Sequence, residues 1–395
     1  MKNALIMGFG TSGQAAKKLL VQQGWNVFTI DAQHPHADSK IFIENEHRFE
    51  IAIISPGIPL THPDVVLIQK KGIPIIGEAE WGMRFLRSAA VGITGTNGKT
   101  TVTSLIAHVL NQCGIPAEAV GNIGLPISEF VIDREHAKKI AVIELSSYQL
   151  ETLETRCLNA GIILNITPDH LDRYGSIKNY AKSKLRLKDI LKANAPFFVD
   201  AQTAKEWKVG KVYDAQTAHF EEANARAALL ICRTFGISDE EFLQASKSFI
   251  KARHRMERVG CFGGVEWIND SKATNVDAAL QAIKSIPGSI ILLAGGKDKG
   301  GSYLPWLEVM KGKVRELCLF GEAAHKIAQE LGIKTHIFKT LKEALVYANQ
   351  IAQVGETVLL SPGCSSFDQY TDYKARGDHF VSLVEDIVGG KDGDE

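Results

Sequence analysis

The stretch that decides the fold is Gly92-Ile-Thr-Gly-Thr-Asn-Gly-Lys-Thr-Thr101, which follows an apolar run that starts at Ala90. Glycines in such a turn let successive backbone N–H groups point at an anion, and the helix that follows adds its positive end. Lys99 is placed to reach the outer phosphates, and the Thr100 hydroxyl is placed to hold a magnesium ion. The general phosphate-loop pattern has a glycine where Ile93 stands, so the match is partial. The stretch predicts that the chain binds and uses ATP.

Short apolar or β-branched runs alternate with helix-length segments along most of the chain, a pattern that indicates parallel sheets of the α/β class. Strand–glycine-turn–helix openings occur at Gly8 and again at Gly95. A small α/β domain rarely opens twice in this way, so we place one boundary at 87–89. We place another at 251–255, where a predicted helical stretch, 224–250, ends in a basic cluster. This reading predicts three domains, at 1–88, 89–252 and 253–395. The predicted strands are Ala4–Met7, Val27–Ile30, Ile51–Ile54, Ala90–Ile93, Ile140–Ile143, Ala160–Leu164, Val265–Ile268, Ile290–Leu293, Leu317–Phe320 and Thr357–Leu360.

Composition narrows the class of partner. Lys and Arg together number 45, as do Asp and Glu, and this balance offers no bulk attraction to nucleic acid or to an anionic membrane. The six cysteines form no C-x-x-C pair, which argues against a zinc knuckle and favours small core residues in a reducing compartment. The N-terminus reads as neither a signal peptide nor a membrane span. We therefore expect a cytoplasmic protein that acts on small molecules.

The N-terminal opening, Gly8-Phe-Gly-Thr-Ser-Gly13, has the spacing of a dinucleotide fingerprint, and Asp31 is placed to accept a ribose hydroxyl. The pattern explains how a diphosphate is bound at a helix N-terminus. It does not say what lies beyond the diphosphate, so a nicotinamide, a flavin and a nucleotide sugar all remain open.

Two further polar segments follow apolar strands in the central region. In Glu144-Leu-Ser-Ser-Tyr-Gln-Leu150, a carboxylate at the end of a parallel strand beside a phosphate loop indicates a metal ligand, with a surface glutamate as the alternative. The segment Asn165–Tyr174 brings His170 together with acidic residues. His170 is a candidate metal ligand or general base, or else a structural histidine.

Basic and hydroxyl side chains mark the remaining candidates. The helical segment Tyr180–Lys188 reads as a solvated basic face, in which composition does not distinguish Lys184 from Lys182. Three loops of the last third also follow apolar strands, and such loops line the carboxyl edge of a sheet, where ligands bind. Their lysines and serines suit a small carboxylate. The loops are Asn269–Asn275, Gly295–Gly301 and Ser361–Phe367.

Taken together and in this order, these segments resemble the Mur ligases, and within them the members that add D-glutamate. The more discriminating segments are Glu144–Leu150, Asn165–Tyr174, Asn269–Asn275 and Ser361–Gln369, and the segment Gly121–Pro126 also fits. Isoleucine at position 93 is the variant of the phosphate loop that this superfamily uses. The resemblance implies a Rossmann-like N-terminal domain, a central domain with a P-loop ATPase-like parallel sheet, and a Rossmann-like C-terminal domain. It also implies ATP-dependent addition of D-glutamate to UDP-N-acetylmuramoyl-L-alanine through an acyl phosphate, in peptidoglycan precursor synthesis.

The resemblance assigns a role to each matching position. It implies two magnesium ions, whose ligands would be Thr100, Glu144, His170 and Lys184. Lys184 would carry a carbamate. The catalytic residues would be Lys99, Glu144, His170 and Lys184. Contacts to ATP would come from Gly95, Thr96, Asn97, Gly98, Lys99, Thr100, Thr101, Asn224, Arg255 and Asp270. The UDP-sugar would be held by Thr11, Ser12, Asp31 and Gly57 of the first domain and by Asn122 of the central domain. D-glutamate would be held in the C-terminal domain by Lys272, Thr274, Lys299, Ser366 and Tyr373.

Two departures from the family pattern and three rival functions are visible. Ala32 and Gln33 replace hydroxyl and basic residues after Asp31, and Tyr373 replaces a phenylalanine. A sibling ligase for another amino acid is the nearest rival, although the chain lacks the Asp-Asn-Pro-Arg segment of the diamino-acid enzyme. A dehydrogenase built on the N-terminal fingerprint would leave Glu144 and His170 unexplained, and a non-catalytic nucleotide-binding regulator would not need them. We expect a monomer.

Overall fold

The computed structural model describes residues 2–31, 49–213 and 220–388. Ala32 and Gln33, which the sequence singled out beside Asp31, lie outside the described residues. Strands account for most of the buried apolar runs. Their bounds are β1 Asn3–Met7, β2 Asn26–Ile30, β3 Ile51–Ile54, β4 Ile75–Gly77, β5 Ala90–Thr94, β6 Ala117–Gly121, β7 Ile140–Glu144, β8 Ala160–Ile163, β9 Phe197–Asp200, β10 Lys211–Tyr213, β11 Glu257–Phe262, β12 Val265–Asn269, β13 Ile290–Gly295, β14 Val314–Phe320, β15 His336–Phe338 and β16 Thr357–Gly363.

Helices connect most of these strands, as parallel pairing requires. Their bounds are α1 Thr11–Gln22, α2 Pro63–Lys70, α3 Glu78–Met83, α4 Lys99–Gln112, α5 Ile127–Phe130, α6 Ser147–Leu150, α7 Leu171–Tyr174, α8 Ile177–Leu185, α9 Ala201–Trp207, α10 Phe220–Arg233, α11 Asp239–Ser246, α12 Val276–Ser285, α13 Trp306–Met310, α14 Ala324–Leu331, α15 Leu341–Ile351 and α16 Tyr373–Ile387. Two 3₁₀ helices, Arg134–Lys138 and Arg186–Ile190, complete the described helical segments.

The chain divides into two compact units. The first comprises Met1–Ile166 and Lys178–Phe249, and the second comprises Thr167–Ile177 and Ile250–Glu395. Among the described residues, the strands form three sheets, two in the first unit and one in the second. The division into three domains at 88 and 252 stays a prediction.

The first unit contains two parallel sheets with separate cores. The smaller sheet has the strand order β2-β1-β3-β4, and residues such as Leu5, Ala52 and Ile68 lie in its core. The larger sheet has the order β10-β9-β8-β5-β7-β6, so β5 lies between β8 and β7. Its strands are apolar along their length because helices pack on a parallel sheet and exclude water from its faces. The carboxyl ends of β5, β7 and β8 therefore meet at one edge.

The second unit contains a mixed sheet, with the order β11-β12-β16-β13-β14-β15. Only the β11–β12 pair is antiparallel among its described pairs. Along β13, Ile290 and Leu292 belong to one buried cluster, whereas Ile291 and Leu293 belong to another. Both faces of the strand are thus covered, as expected of a central parallel strand. The order places the loops after β12, β16 and β13 side by side.

The α/β class predicted from the sequence is confirmed, and all ten predicted strands are present. Three details were wrong. The stretch 224–250, expected to be one helical segment, is two helices that end and begin on either side of Gly236, whose φ is +83°. The C-terminal sheet carries an antiparallel strand, β11. Cys261 is exposed on that strand and is not a core residue.

Candidate active site

The phosphate loop joins β5 to α4 in the first unit. Gly98 caps the helix with a φ of +85°, and Gly95 has a φ of +154°. A Cβ on Gly95 would lie 3.0 Å from the Leu164 Cβ, and one on Gly98 would collide with the Asn224 Oδ1. Both the backbone conformation and the available space therefore require glycine at 95 and 98. Asn224, predicted to contact adenine, is buried directly beside the loop.

The isoleucine at position 93 has a structural explanation. Ile93 lies inside β5, fully buried, and pairs with Glu144 on β7 and with Ile162 on β8. The glycine-rich turn thus begins two residues later than the general pattern assumes. The strand continues through position 93, so a core side chain belongs there.

Asn165 holds the loop from the neighbouring strand end. Its carbonyl accepts the Thr96 N–H at 2.9 Å, and its side-chain oxygen accepts the Asn97 N–H at 2.8 Å. The Asn165 amide then donates to the Asn97 carbonyl at 3.1 Å. The sequence pointed to the segment that begins at Asn165 but not to this function, because the contact joins residues far apart in sequence.

Two lysines donate to one carbonyl of the loop. The Lys99 ammonium donates to the Gly95 carbonyl at 2.8 Å and to the Thr96 carbonyl at 2.7 Å. The Lys184 ammonium also donates to the Gly95 carbonyl, at 2.8 Å, and lies 4.6 Å from the centre of the Tyr180 ring. Only 1% of Lys184 is exposed, whereas Lys182 faces solvent. The interpretation of this helix as a solvated face was therefore wrong for Lys184.

Glu144 ends β7 and is 2% exposed, so it is not a surface glutamate. Its Oε1 accepts the Asn122 side-chain N–H at 2.7 Å, and its backbone carbonyl accepts the Asn122 backbone N–H at 2.9 Å. Its Oε2 is buried and has no hydrogen-bond partner. A buried carboxylate oxygen with an open acceptor position is what a hard cation such as magnesium takes as a ligand. Glu144 thus fits the predicted metal site.

The N-terminal fingerprint forms a tight turn on the small sheet. The Phe9 N–H donates to the Asp31 carboxylate at 2.5 Å, and the Ser55 hydroxyl donates to the Gly8 carbonyl at 2.9 Å. A Cβ on Gly13 would collide with the Gly8 carbonyl, so α1 packs close to the turn only with glycine there. Thr11 and Ser12 begin α1, and Gly57 lies exposed after β3. The turn presents backbone N–H groups at a helix N-terminus, where a diphosphate binds.

In the second unit, Asp169 lies close to two of the predicted site residues, Lys299 and His170. Its carboxylate receives the Lys299 ammonium at 3.2 Å and the Asn275 side-chain N–H at 3.1 Å. His170 follows with a φ of +53°, and its Nε2 lies 3.6 Å from the Asp169 carboxylate. The His170 side chain remains 29% exposed.

The three C-terminal loops meet at the carboxyl edge of the mixed sheet. The Lys272 ammonium lies 3.9 Å from the centre of the Tyr373 ring, a cation–π contact that the substitution of tyrosine for phenylalanine preserves. Ser366 is buried in the loop after β16, and Thr274 is half-buried in the loop after β12. The Ser271 hydroxyl donates to the Tyr373 carbonyl at 2.8 Å and so ties the loop after β12 to the first residue of α16.

Arg376 is a site residue that the sequence reasoning missed. It is fully buried, and its guanidinium donates to the carbonyls of Ser271, Cys364 and Ser365 at 2.8–3.2 Å. Burial lowers its pKa to about 10, so it stays charged at neutral pH. This guanidinium fixes the loops after β12 and β16 relative to each other. Its position on α16, two turns from any motif, gave no local signal.

Asp270, predicted to lie in the ATP site, is buried after β12. Burial raises its pKa to about 7, although hydrogen bonds from Ser361 and Met256 and the charges of Arg255 and Arg376 act in the opposite direction. The Ser361 hydroxyl donates to its carboxylate at 2.9 Å. Arg255 thus acts on Asp270 electrostatically, and both lie in the second unit.

No three His, Cys, Asp or Glu side chains gather into a metal-binding group within the described ranges. Glu144 and His170, the predicted carboxylate and imidazole ligands, belong to different compact units. A magnesium site in the first unit would therefore rely on oxygen donors of other kinds, such as a hydroxyl, a phosphate or a carbamate. Over the part of the chain that the structure describes, no helix has the length and apolar character needed to cross a membrane.

Comparison with known proteins places these features in a family. Residues 93–252 match the Mur ligase middle domain, and residues 254–364 match the Mur ligase, glutamate ligase domain. A UDP-N-acetylmuramoylalanine--D-glutamate ligase of Protochlamydia amoebophila is 38% identical, over 97% of this chain and 98% of the relative. The ligase of the same name from Acidobacterium capsulatum is 37% identical, over 97% of this chain and 96% of the relative.

Solved structures of low sequence identity share the fold. A MurF ligase from Thermotoga maritima in complex with ADP has a TM-score of 0.64 at 13% identity, over 99% of this chain and 96% of that one. A UDP-N-acetylmuramate-alanine ligase from Thermotoga maritima has a TM-score of 0.61 at 16% identity, over 98% of this chain and 99% of that one.

The chain therefore belongs to the Mur ligase family, ATP-using enzymes with three-domain α/β folds. Within that family it groups with the D-glutamate ligases, the relatives that it resembles at 33–38% identity along nearly its whole length. The family predicted from the sequence is confirmed.

Glu78, at the start of α3, is a further residue that the sequence did not reveal. It is 1% exposed, and its Oε1 accepts the Ser128 N–H at 2.6 Å while its Oε2 has no partner. Burial raises its pKa to about 7, with the hydrogen bonds from Ser128 acting in the opposite direction. Ser128 lies on α5, directly after the loop that carries Asn122, so Glu78 anchors that loop.

This pKa makes the stability of the first unit depend on pH. Because the folded-state pKa lies above the unfolded value of 4.5, the stabilisation is complete below pH 4.5 and is lost as the pH rises through about 7. The loss amounts to about 3 kcal/mol. We expect Glu78→Gln to remove it, so that urea unfolding at pH 5 and pH 7.5 differs less in the variant than in the natural chain.

Glu129→Gln is the matched control, because Glu129 lies next to Ser128 on α5 but forms a partly exposed ion pair with Lys18 at 2.6 Å. Its pH dependence should follow that of the natural chain. Parallel profiles for the natural chain and Glu78→Gln would contradict the assignment.

Proposed function

We propose that this chain joins D-glutamate to UDP-N-acetylmuramoyl-L-alanine at the expense of ATP, in peptidoglycan precursor synthesis. The observation that carries the proposal is the identity of 33–38%, over 97–98% of the chain, to relatives named UDP-N-acetylmuramoylalanine--D-glutamate ligase. The geometry around Gly95 supports it, because a phosphate loop, a buried lysine and a buried carboxylate meet there. The expectations of a monomer located in the cytoplasm stay predictions.

The chemistry explains why such a site is needed. A carboxylate is a poor electrophile, so it does not form an amide with an amine in water. An oxygen of the L-alanyl carboxylate attacks the γ-phosphorus of ATP, ADP leaves, and an acyl phosphate forms. The amine of D-glutamate then attacks the acyl carbon and loses a proton, and phosphate leaves with one of the former carboxylate oxygens. The first step brings an anion against the triphosphate, so positive charge must be in place beforehand.

The phosphate loop supplies much of that charge. The backbone N–H groups of residues 98–101, at the N-terminus of α4, would face the phosphates, whereas those of Thr96 and Asn97 donate to Asn165. Lys99, which already lies against the loop carbonyls, neutralises the outer phosphates. Asn165 keeps the loop in this conformation, and Asn224 packs on Gly98 at the predicted adenine side.

Magnesium completes the proposed site. The open Oε2 of Glu144 and the hydroxyl of Thr100 would hold one ion, and His170 would serve a second. Bound magnesium offsets the repulsion between the attacking carboxylate and the triphosphate. Carbon dioxide added to the Lys184 amine would convert a buried cation into an anionic oxygen ligand. That change would also remove the repulsion between the two ammonium groups that donate to the single Gly95 carbonyl.

The substrates would be held at the two sheet edges described above. In the first unit, the UDP-sugar would occupy the turn formed by Thr11, Ser12, Asp31 and Gly57, with Asn122 at the edge of the larger sheet. In the second unit, D-glutamate would be held by Lys272, Thr274, Lys299, Ser366 and Tyr373. Support for the latter comes from Arg376, which fixes two of the contributing loops.

The first test is phosphate release from ATP in the presence of UDP-N-acetylmuramoyl-L-alanine and one amino acid at a time. We expect D-glutamate to stimulate release at least a hundredfold over L-glutamate, since a site that holds two carboxylates in fixed positions discriminates by geometry. Equal or greater stimulation by L-alanine or a diamino acid would instead assign the chain to a sibling ligase.

The second test concerns the carbamate. Lys184→Ala should lower the rate by a factor of a thousand or more, because it removes a buried ligand, and added short carboxylic acids should restore part of the activity. Lys182→Ala is the matched control on the same helix, since Lys182 is exposed. Full activity of Lys184→Ala without any added acid would refute the assignment.

A further inference from the structure

A short turn after Glu144 is held by an arginine from another helix. The Arg186 Nε donates to the Leu150 carbonyl at 2.8 Å, and its Nη2 donates to the Leu153 carbonyl at 2.9 Å. Leu150 is the last residue of α6, whose terminal carbonyls have no partner within the helix. A guanidinium with two parallel donors meets this need in one fixed orientation. We call residues 150–155 the α6 turn.

The same turn is held at its other end by a carboxylate. Glu80, on α3, accepts the Glu154 N–H at 2.9 Å, the Thr155 N–H at 3.0 Å and the Thr155 hydroxyl at 2.8 Å. Its side chain is 2% exposed and also accepts the Arg84 Nε at 2.9 Å. Burial acts to raise its pKa, but the hydrogen bonds from Glu154, Thr155 and Arg84 outweigh this and lower it. Glu80 is therefore an anion that anchors the turn.

The α6 turn lies between two of the predicted metal ligands of the first unit, Glu144 and Lys184. Glu144 lies three residues before the first residue of α6, and a capping box between Ser146 and Gln149 fixes the start of that helix. At the other end of the connection, Arg186 stands two residues after Lys184. The short, capped helix follows directly on the strand that carries Glu144, and its last turn is hydrogen-bonded to Arg186, which follows directly on the helix that carries Lys184.

We infer that Arg186 is a positioning residue, which acts through the α6 turn to set Lys184 relative to Glu144, while Glu80 anchors the turn to α3. The inference rests on the proposed function, because that function gives the Glu144 and Lys184 side chains their role as magnesium ligands. Two ligands of one hard cation must be held within about 0.5 Å of the productive geometry. The Arg186 guanidinium donates to backbone carbonyls of the α6 turn, so its effect on Glu144 and Lys184 is indirect.

The test measures cation binding directly. Mn²⁺ is titrated, by electron paramagnetic resonance, into the full chain with a non-hydrolysable ATP analogue and bicarbonate. Arg186→Met keeps much of the side-chain length but removes both donors, and it should weaken Mn²⁺ binding about tenfold to a hundredfold, the range found for residues that orient metal ligands. The Mg²⁺ concentration for half-maximal activity should rise by a similar factor, whereas UDP-sugar affinity should change less than twofold.

Two further variants keep the inference testable if Arg186→Met does not fold. Arg186→Lys can serve only one of the two carbonyls and should give an intermediate loss. Glu80→Gln keeps the size of the anchor but weakens its hydrogen bonds, and it should weaken Mn²⁺ binding in the same direction. Arg233→Met is the matched control, because Arg233 makes two hydrogen bonds to Asp239 in the same unit, at 2.8 and 2.6 Å, on an exposed surface. It should leave Mn²⁺ binding unchanged.

The outcomes separate the inference from the function on which it rests. A folded Arg186→Met or Arg186→Lys that binds Mn²⁺ as tightly as the natural chain would overturn the positioning role, even if its melting temperature falls. Absence of D-glutamate-dependent phosphate release from the natural chain would refute the proposed function alone, since the Mn²⁺ titration needs no amino acid.

Discussion

The carbonyl of Gly95 is the point on which the site depends. Two ammonium groups, from Lys99 and Lys184, donate to this one oxygen at 2.8 Å each. Two like charges that share an acceptor repel each other, and one of them is almost fully buried. The charge of Lys99 would be balanced by the phosphates of bound ATP. Lys184 is a buried cation in a place where an anionic oxygen would be more useful, which is the physical case for its conversion to a carbamate.

The remainder of the first unit maintains this arrangement. A Cβ on Gly95 or Gly98 would crowd neighbouring atoms, and Asn165 holds the loop between these two glycines. Asn122 donates a hydrogen bond to one carboxylate oxygen of Glu144, while the other oxygen has no hydrogen-bond partner. Buried carboxyl groups on α3, those of Glu78 and Glu80, hold the loops that carry these groups. Such a site is costly to fold, since it collects buried charges and an unpaired carboxylate oxygen, and bound ATP and magnesium would offset part of that cost.

The sequence predicted what local patterns encode. The phosphate loop, the strand before Glu144 and the family itself were all readable, because a glycine turn, an apolar run and a motif each occupy consecutive residues. Lys184 could not be separated from Lys182 without knowing which of them points inward. Arg376 and Arg186 were missed for a related reason: their acceptors lie as far as 105 and 36 residues away along the chain. Long-range contacts of this kind leave no periodicity or spacing to detect.

In the proposed reaction, ATP activates the alanyl carboxylate as an acyl phosphate. The most direct measurement uses UDP-N-acetylmuramoyl-L-alanine labelled with ¹⁸O in both oxygens of its alanyl carboxylate, together with ATP, D-glutamate and the natural chain. The released phosphate is then analysed by mass spectrometry. We expect one ¹⁸O atom in each phosphate and one left in the amide product. Phosphate free of ¹⁸O would show that its fourth oxygen came from water, and would contradict acyl-phosphate formation.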